Sequence, residues 1–366
     1  MDSAPFDDRD GLIWFNGETV AWREAKLHIL SHALHYASSV FEGERAYGGK
    51  IFKLRAHTER LFNSAEILGF EIPFSMQEID DACNDVLKIN DIIDGYVRPV
   101  AWRGSEMMGV SAQQTKINIA IAAWQWPSYF SPEARMKGIR LKTTKWRRPS
   151  PETEPVHSKA AGLYMICTLS KHAAERDGFD DALMLDYRGQ IAEATGANIF
   201  LVMGDDKLHT PTPDCFLNGI TRQTVIKLAK ARGIEVIDRV IMPNELINAT
   251  QVFLTGTAAE VTPVGQIDNH TFSVGDITRW MMEDYDKKVG KVLADGLRSP
   301  SVCSATTSST CLPLAATSRA NSASLLMKNR TSVWRSNNEL LTGVAVNNRT
   351  FFGFGPDNSS ATASVC

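Results

Sequence analysis

His157-Ser158-Lys159-Ala160-Ala161-Gly162-Leu163-Tyr164, together with the later run Ile191-Ala192-Glu193-Ala194-Thr195-Gly196-Ala197-Asn198, decides how this sequence is interpreted. The first run ends a loop with a lysine beside an apolar helix, and the second places a carboxylate on a returning strand. Such an amine suits a Schiff base, and such a carboxylate suits the ring nitrogen of an electron-withdrawing cofactor. The pair predicts pyridoxal 5'-phosphate as cofactor, whereas either residue alone would be read as an ordinary solvated charge.

A phosphate group needs its own site, and two Gly/Thr turns are suited to it. Asn218-Gly219-Ile220-Thr221 directly precedes a helix predicted from Thr221 to Arg232, where unpaired backbone N–H groups and the positive dipole end bind anions. Thr255-Gly256-Thr257-Ala258 follows a predicted strand and offers further N–H and hydroxyl donors. Arg60 supplies a guanidinium that matches phosphate geometry. A plain helix cap, an ordinary turn and a solvated arginine are the alternatives.

Composition places the chain among globular, enzyme-sized proteins. It has 366 residues, 43% hydrophobic content and a formal charge of −3 without long blocks of one sign, which argues against nucleic acid or membrane partners. The acidic N-terminus has no apolar signal core and no run reaches membrane-spanning length, so a cytoplasmic location is expected. The six cysteines lack metal-ligand spacing and are expected to be reduced thiols, with no metal site.

Periodicity predicts a mixed α/β (α+β) fold with two domains. Residues 1–125 are expected to form a small N-terminal α/β domain, 126–140 an interdomain loop, and 141–291 a large cofactor-binding domain. The first contains an Asn16-Gly17 hairpin and a capping box at Ser75-Met76-Gln77-Glu78; the second contains strands predicted at 181–186, 199–202, 234–237 and 251–254.

The C-terminal stretch 292–366 has a different composition. Ser, Thr and Asn supply 28 of its 75 residues and its periodicity fades, so it is expected to be either a poorly ordered tail or a segment that is not native to the enzyme. Truncation near Lys291 is expected to leave activity intact.

Eight motifs stand in the order known from one enzyme family. They are Ser31-His32-Ala33-Leu34-His35-Tyr36, Val40-Phe41-Glu42-Gly43, Tyr96-Val97-Arg98-Pro99, Met108-Gly109-Val110, Lys159-Ala160, Glu193-Ala194, Gly219-Ile220-Thr221-Arg222 and Thr255-Gly256-Thr257-Ala258-Ala259-Glu260. Through them, the run from Ile13 to about Lys288 resembles the fold-type IV (class IV) pyridoxal-phosphate aminotransferases, most closely the bacterial branched-chain amino acid aminotransferases.

The resemblance implies a role for each matching residue. Lys159 is the catalytic, Schiff-base lysine, Glu193 holds the pyridine nitrogen, and Tyr164 bonds the cofactor's phenolic oxygen. The remaining cofactor-binding residues implied are Arg60, Gly196, Leu217, Ile220, Thr221, Gly256 and Thr257. The substrate-binding surface implied comprises Tyr36, Phe41, Tyr96, Arg98, Val110, Trp126, Tyr129 and Ala258. Because some of these come from a second subunit in the family, a homodimer or higher homo-oligomer is expected.

The implied reaction moves the amino group between branched-chain L-amino acids and 2-oxoglutarate. Phe41, Trp126, Tyr129 and Val110 would receive an aliphatic side chain, and Arg98 the second carboxylate of glutamate. The alternatives are an (R)-amine or D-amino acid transaminase, an aminodeoxychorismate lyase-like enzyme, or a non-catalytic ligand-binding module. His157-Ser158, and Glu44 beside Arg45, depart from the closest bacterial members and leave the substrate range open.

Overall fold

The computed structural model describes residues 4–126 and 137–291, and within them two β-sheets divide the chain. Strands between residues 12 and 125 form the first sheet, and strands between 139 and 271 form the second. The predicted mixed α/β class is confirmed. The domain boundaries stay predictions, and the tail predicted for 292–366 lies outside the described residues.

The first sheet is antiparallel throughout its described strands, in the order β2-β1-β7-β6-β4-β5 with β3 also beside β6. Its strands are β1 (Leu12–Phe15), β2 (Glu18–Ala21), β3 (Ser39–Phe41), β4 (Glu44–Tyr47), β5 (Lys50–Ile51), β6 (Gly95–Arg103) and β7 (Ile117–Gln125). The helices of this half are α1 (His32–Tyr36), α2 (Leu54–Ile67) and α3 (Met76–Ile89).

Local sequence explains several of these elements. Asn16 and Gly17 connect β1 to β2 with positive φ values of 50° and 95°, the backbone that an Asn-Gly hairpin turn requires. Ser75 and Glu78 form the predicted capping box at the start of α3. Helices α2 and α3 bury apolar side chains such as Leu61 against the sheet, so one hydrophobic core fixes both helices.

The second sheet is mixed, and its helices are α4 (Met165–Arg176), α5 (Ile220–Ala231) and α6 (Asp276–Lys288). Its strands are β8 (Ile139–Arg148), β9 (Asp181–Asp186), β10 (Ile191–Ala194), β11 (Asn198–Met203), β12 (Leu208–Pro211), β13 (Val236–Arg239), β14 (Ala249–Gly256), β15 (Glu260–Ile267) and β16 (His270–Thr271). Short 3-10 segments occur at Trp22–Glu24, Ala161–Tyr164 and Pro243–Asn248.

Part of the second sheet closes on itself. The order β10-β9-β8-β15-β14-β11 returns to β10, because Glu193 of β10 also pairs with Asn198 of β11. Alternate residues such as Ile199 and Leu201 enter one buried core, and Phe200 and Val202 enter another together with residues of α5 and α6. The closed strand ring therefore fixes Glu193 between two neighbouring strands.

Two further features of residues 4–126 and 137–291 concern the cysteines and the helix lengths. The cysteines among them, Cys83, Cys167 and Cys215, are free and buried. None of the helices in residues 4–126 and 137–291 combines the length and the apolar run needed to cross a bilayer.

Glu44 on β4 is a buried carboxyl group in the first core. It is fully buried, and its oxygens accept no N–H or O–H hydrogen bond from the described residues, the nearby Cys83 thiol being a weak donor. Burial, and then the neighbouring carboxylates of Glu42 and Asp80, hold the pKa of Glu44 well above its usual range. Folding therefore favours the protonated form of the Glu44 carboxyl group.

This raised pKa predicts a loss of stability with rising pH. Because the pKa of Glu44 is higher in the folded than in the unfolded state, its contribution to stability is intact at pH values below the unfolded-state pKa. That contribution is lost as the pH rises through the folded-state pKa. Between these two pKa values, the free energy of unfolding of the wild type should fall by about 1.4 kcal/mol per pH unit relative to that of Glu44→Gln. Denaturant unfolding at pH 5 to 9 measures the difference. Glu59→Gln, at an exposed site of α2, is the control, and parallel pH profiles for wild type and Glu44→Gln would contradict the assignment.

Candidate active site

A cavity lies where the second sheet meets α2. All of the residues predicted to bind the cofactor line it: Arg60, Lys159, Tyr164, Glu193, Gly196, Leu217, Ile220, Thr221, Gly256 and Thr257. The sequence positions that carried the prediction are thus brought together around one space, although they span almost 200 residues of the chain.

Lys159 presents its amine to this cavity beside an aromatic wall. Its Nζ donates a hydrogen bond to the Tyr164 hydroxyl at 2.9 Å. Tyr164 ends the 3-10 turn that leads into α4, so the short local path from Lys159 sets the pair. The ring of Phe41 lies 4.8 Å from that of Tyr164, and the Lys159 amine is 5.0 Å from the centre of the Phe41 ring. A primary amine is therefore held at an apolar wall with one hydroxyl partner.

Glu193 lines the same cavity from the closed strand ring. Its Oε1 lies 3.4 Å from Arg148 Nε, and its Oε2 accepts a hydrogen bond from Asn198 Nδ2 at 3.2 Å. Burial raises the pKa of Glu193 to about 7, against the opposing charges of Arg148 and Lys159. The carboxyl group can consequently hold or release a proton near neutral pH, which suits a partner for a basic ring nitrogen.

Sequence reasoning missed Arg148 and Asn198. Asn198 donates from Nδ2 to the Leu217 carbonyl at 3.0 Å and accepts the Gly219 N–H at 3.1 Å, so it connects Glu193 to the loop before α5. Asn198 belongs to the same short sequence run as Glu193, and this proximity in sequence could have identified it as a partner of the carboxyl group. Arg148 ends β8, far from Glu193 in sequence, and no local pattern marks it.

The cavity lining also includes unpaired hydrogen-bond donors. Helix α5 begins at Ile220 after Gly219, which provides no side-chain cap, so the first N–H groups of the helix are left for another acceptor. The buried Thr255 hydroxyl has no hydrogen-bond partner in the described part of the chain. Together with Thr221 and Thr257, these donors have the properties of an anion site.

Arg60 reaches the cavity from α2 and is fixed by a buried carboxylate. Its Nε and Nη2 donate to Glu42 at 2.6 and 2.8 Å, and His57 Nδ1 lies 2.8 Å from the same carboxylate. Although burial acts in the opposite direction, Arg60 and His57 hold the pKa of Glu42 below its usual range. Glu42 was noted only as part of a motif. Because Glu42 accepts hydrogen bonds only from Nε and Nη2, Nη1 of Arg60 has no partner in residues 4–126 and 137–291 and is available to an anion.

Most of the predicted substrate residues adjoin this cavity. Tyr96, Arg98, Trp126 and Ala258 line a neighbouring space that shares Tyr164 with it. Arg98 donates to the Tyr96 hydroxyl at 3.2 Å, while its buried Nε has no partner among the described residues. The Arg98 guanidinium also lies 4.7 Å from the Phe41 ring centre.

Two predicted substrate residues, Tyr36 and Val110, are not among the residues that line this space. Tyr36 and Val110 lie together on the surface, 44% and 83% exposed, and the Tyr36 hydroxyl donates to the Met108 carbonyl at 3.3 Å. Tyr129 lies outside the described residues.

The residues present fit pyridoxal 5'-phosphate. An amine, a buried carboxyl group and an uncapped helix start line one cavity, and the buried, unpaired hydroxyl of Thr255 belongs to the same lining. These are the three functions that the cofactor requires of a protein: covalent attachment, control of its ring nitrogen, and a cradle for its phosphate.

The chain is similar to known aminotransferases both in a family model and in individual sequences. Residues 39–267 match the family model described as amino-transferase class IV. The chain is 47% identical over 256 residues to the probable branched-chain-amino-acid aminotransferase of Rickettsia felis, covering 70% of this chain and 87% of that protein. It is 42% identical over 272 residues to the branched-chain-amino-acid aminotransferase of Pseudomonas aeruginosa, covering 73% and 88%.

A solved structure is similar over the same region. The crystal structure of the T.th. branched-chain amino acid aminotransferase with pyridoxamine 5'-phosphate superimposes with a TM-score of 0.74 and 40% identity, covering 77% of this chain and 94% of that one.

Proposed function

The chain belongs to the class IV aminotransferases, and we propose that it moves the amino group between branched-chain L-amino acids and 2-oxoglutarate at the cavity around Lys159. It is a pyridoxal-phosphate-dependent enzyme of the branched-chain group. The observation that carries the proposal is that Lys159, Glu193 and the start of α5 line a single cavity.

The proposal assigns tasks to the main polar residues of the cavity. When bound, pyridoxal phosphate supplies the aldehyde that takes up amines and the ring that withdraws electrons. Lys159 would hold the cofactor through its Nζ, and its amine would also remove and return the proton at the substrate α-carbon. Glu193 keeps the proton on the ring nitrogen. The donors around Thr221, Thr257 and Arg60 bind the phosphate.

The space next to the cavity suits both proposed substrates. Tyr96 and Trp126 line this space, and Phe41 packs against Tyr164 beside it, so the three rings offer aromatic surface to an aliphatic side chain. Arg98 offers a cation whose Nε is buried without a partner among residues 4–126 and 137–291, and a second carboxylate would satisfy it. One site could therefore alternate between an apolar donor and an acidic acceptor.

A substrate panel tests the proposal against its rivals. Purified protein is incubated with L-leucine, D-alanine or (R)-1-phenylethylamine, each with 2-oxoglutarate or pyruvate. Turnover of L-leucine with 2-oxoglutarate is expected to be fastest. Preference for D-alanine or the (R)-amine, or release of pyruvate from aminodeoxychorismate, would place the enzyme in another branch of the same fold. Colourless protein that binds no added cofactor would favour the non-catalytic module.

Replacing Arg98 with methionine is expected to separate the two substrates. Methionine keeps a long apolar stem against Phe41 but removes the charge, so kcat/KM for 2-oxoglutarate should fall by roughly tenfold to a hundredfold, as for the loss of a charged hydrogen bond. The acceptor 4-methyl-2-oxopentanoate has no second carboxylate. With it, the change in kcat/KM should stay within about threefold of the loss in Arg103→Met, a control on the same strand. Equal losses for both acceptors would remove Arg98 from carboxylate recognition.

The exposed apolar surface around Tyr36 supports a homodimer. Leu27, Ile29, Leu30, Leu34, Tyr36, Met108 and Val110 are each between 39% and 83% exposed, and α1 contacts the 108–110 loop through His32 and Tyr36. A surface of this kind is typical of an interface. A second copy related by twofold symmetry would cover it and would present the Tyr36 and Val110 of each chain to its partner.

Sedimentation of wild type and Leu34→Lys tests this assembly. The wild type is expected to sediment as a dimer or larger assembly, and Leu34→Lys to dissociate with loss of activity. A monomeric, fully active wild type would exclude the shared site.

We also propose a cytoplasmic location, which the free buried thiols of Cys83, Cys167 and Cys215 support because reduced cysteines are usual there.

A further inference from the structure

Two buried serines connect the segment that carries Lys159 to α2. Ser64 and Ser158 are both fully buried. The backbone N–H of Lys159 donates to the Ser64 hydroxyl oxygen at 2.9 Å, and the Ser158 hydroxyl donates to the Ser64 carbonyl oxygen at 2.9 Å. A single residue of α2 thus accepts hydrogen bonds from two consecutive residues of the lysine segment.

The other side of the lysine backbone is also held by the first half of the chain. The Phe41 N–H donates to the Lys159 carbonyl at 3.1 Å, and Ala160 forms a β-bridge with Val40. Both backbone hydrogen-bonding groups of Lys159 are therefore paired with residues between 39 and 67. The position of the lysine depends on that half of the molecule and not only on its own.

The same helix also carries Arg60, which lines the cavity. Arg60 and Ser64 are four residues apart on α2, and so lie on one face of the helix. Arg60 is fixed by Glu42, and Ser64 receives the Lys159 amide. A rigid helix therefore sets the distance between the proposed phosphate contact and the lysine backbone.

The two hydrogen bonds that Ser64 accepts differ in what their loss would leave unpaired. The Ser64 carbonyl also accepts the Leu68 N–H within α2, so it keeps a partner when the Ser158 hydroxyl is removed. The Lys159 N–H has only the Ser64 hydroxyl among the described residues. Loss of that hydroxyl leaves a donor unpaired in a largely enclosed site, and the lysine segment must move to satisfy it.

We propose that Ser64 is a positioning residue for Lys159: its hydroxyl fixes the lysine amide and so directs the side chain toward the cofactor site. Its kinetic consequence rests on the proposed function, whereas the contact itself does not. Small displacements of a reacting group lower turnover steeply, up to about a hundredfold for 1 Å. Ser64 acts through Lys159 and touches neither cofactor nor substrate in this scheme.

Ser64→Ala tests the proposal, with Ser170→Ala as the matched control. Ser170 is a fully buried serine on α4 whose hydroxyl accepts a hydrogen bond from Thr144, and no hydrogen bond joins it to Lys159. In cofactor-free protein, site-resolved hydrogen–deuterium exchange at the Lys159 amide should accelerate by about tenfold or more in Ser64→Ala, following loss of its hydrogen bond, and stay unchanged in Ser170→Ala.

Kinetics should separate the same two variants. With L-leucine, kcat of Ser64→Ala should fall by about tenfold while KM changes within about twofold, because the lysine is displaced and the substrate surface is not. Ser170→Ala should keep wild-type kcat despite a similar loss of melting temperature. Ser64→Thr, which restores a hydroxyl, should recover both readouts.

Several results would overturn the inference. Equal amide exchange and equal kcat in Ser64→Ala and Ser170→Ala would leave Ser64 with a structural role only. If Ser64→Ala does not fold, the wild type still decides, because a Lys159 amide that exchanges as fast as that of the exposed His157 would exclude the hydrogen bond. A protein inactive on L-leucine that shows the exchange difference would contradict the proposed function and not the Ser64 contact.

Discussion

Lys159→Ala is expected to abolish transamination. The variant lacks both the amine that attaches the cofactor and the base that moves the substrate proton, so kcat should fall by at least about 10⁴-fold. Single-turnover assays with L-leucine measure the loss. Borohydride treatment should fix cofactor to Lys159 of the wild type, detectable as a mass increase on the peptide from Ser158 to Tyr164, and should fix none to the variant.

Lys88→Ala is the control for this prediction. Lys88 is an exposed lysine near the end of α3, paired with Asp85, and its removal should change neither turnover nor labelling. A Lys159→Ala variant with more than about one per cent of wild-type turnover, far above the residual rate expected without the general base, would refute the assignment of Lys159 as catalytic base.

Glu193→Gln should have the second-largest effect. Glutamine keeps the shape and can still contact Asn198, but it carries no negative charge to hold a proton on the ring nitrogen. Turnover should fall by roughly 10²- to 10³-fold, the range observed when one preorganised electrostatic contact to developing charge is lost. Cofactor should remain bound, because the contacts of Arg60 and of the start of α5 are untouched, and visible absorbance after gel filtration measures its retention.

The pH dependence of cofactor binding gives an independent test of Glu193. Because its pKa is about 7 without cofactor, the carboxylate predominates above pH 7 and the neutral acid below it. Binding of pyridoxal phosphate to cofactor-free wild type should therefore strengthen between pH 6 and 8 more than binding to Glu193→Gln. Glu175→Gln on α4, at an exposed site, should follow the wild type. Identical profiles for wild type and Glu193→Gln would separate Glu193 from the ring nitrogen.

Short sequence motifs correctly predicted the elements that depend on residues close together in the chain. The Asn16-Gly17 hairpin, the Ser75 capping box and the strand 181–186 appear where the sequence places them. Residues 234–237 were predicted as a strand, but β13 covers Val236–Arg239. The Ile234 N–H is still bonded to Ala229 of α5 after the left-handed Gly233, so the helix end occupies the first two positions of the predicted strand.

The cavity was predictable by position but not by its internal contacts. Lys159, Glu193 and the two turns carry motifs, and the fold brings them together. Arg148, Asn198 and Glu42 were missed as functional groups because their partners lie on other elements. Glu42, the residue after β3, meets Arg60 of α2, and Arg148 meets Glu193 across the second sheet. Pairings of this kind follow from strand order and packing, which short-range periodicity does not encode.

The closure of the second sheet at Glu193 has a consequence for how the site can fail. Strand β10 is short, only four residues, yet it has a bonded neighbour on each flank, β9 and β11. It cannot peel away by breaking one ladder, and it offers no open rim to which a foreign strand could add. The acid at position 193 is thus insulated from local fraying, and its loss from the cavity requires cooperative opening of the surrounding strands.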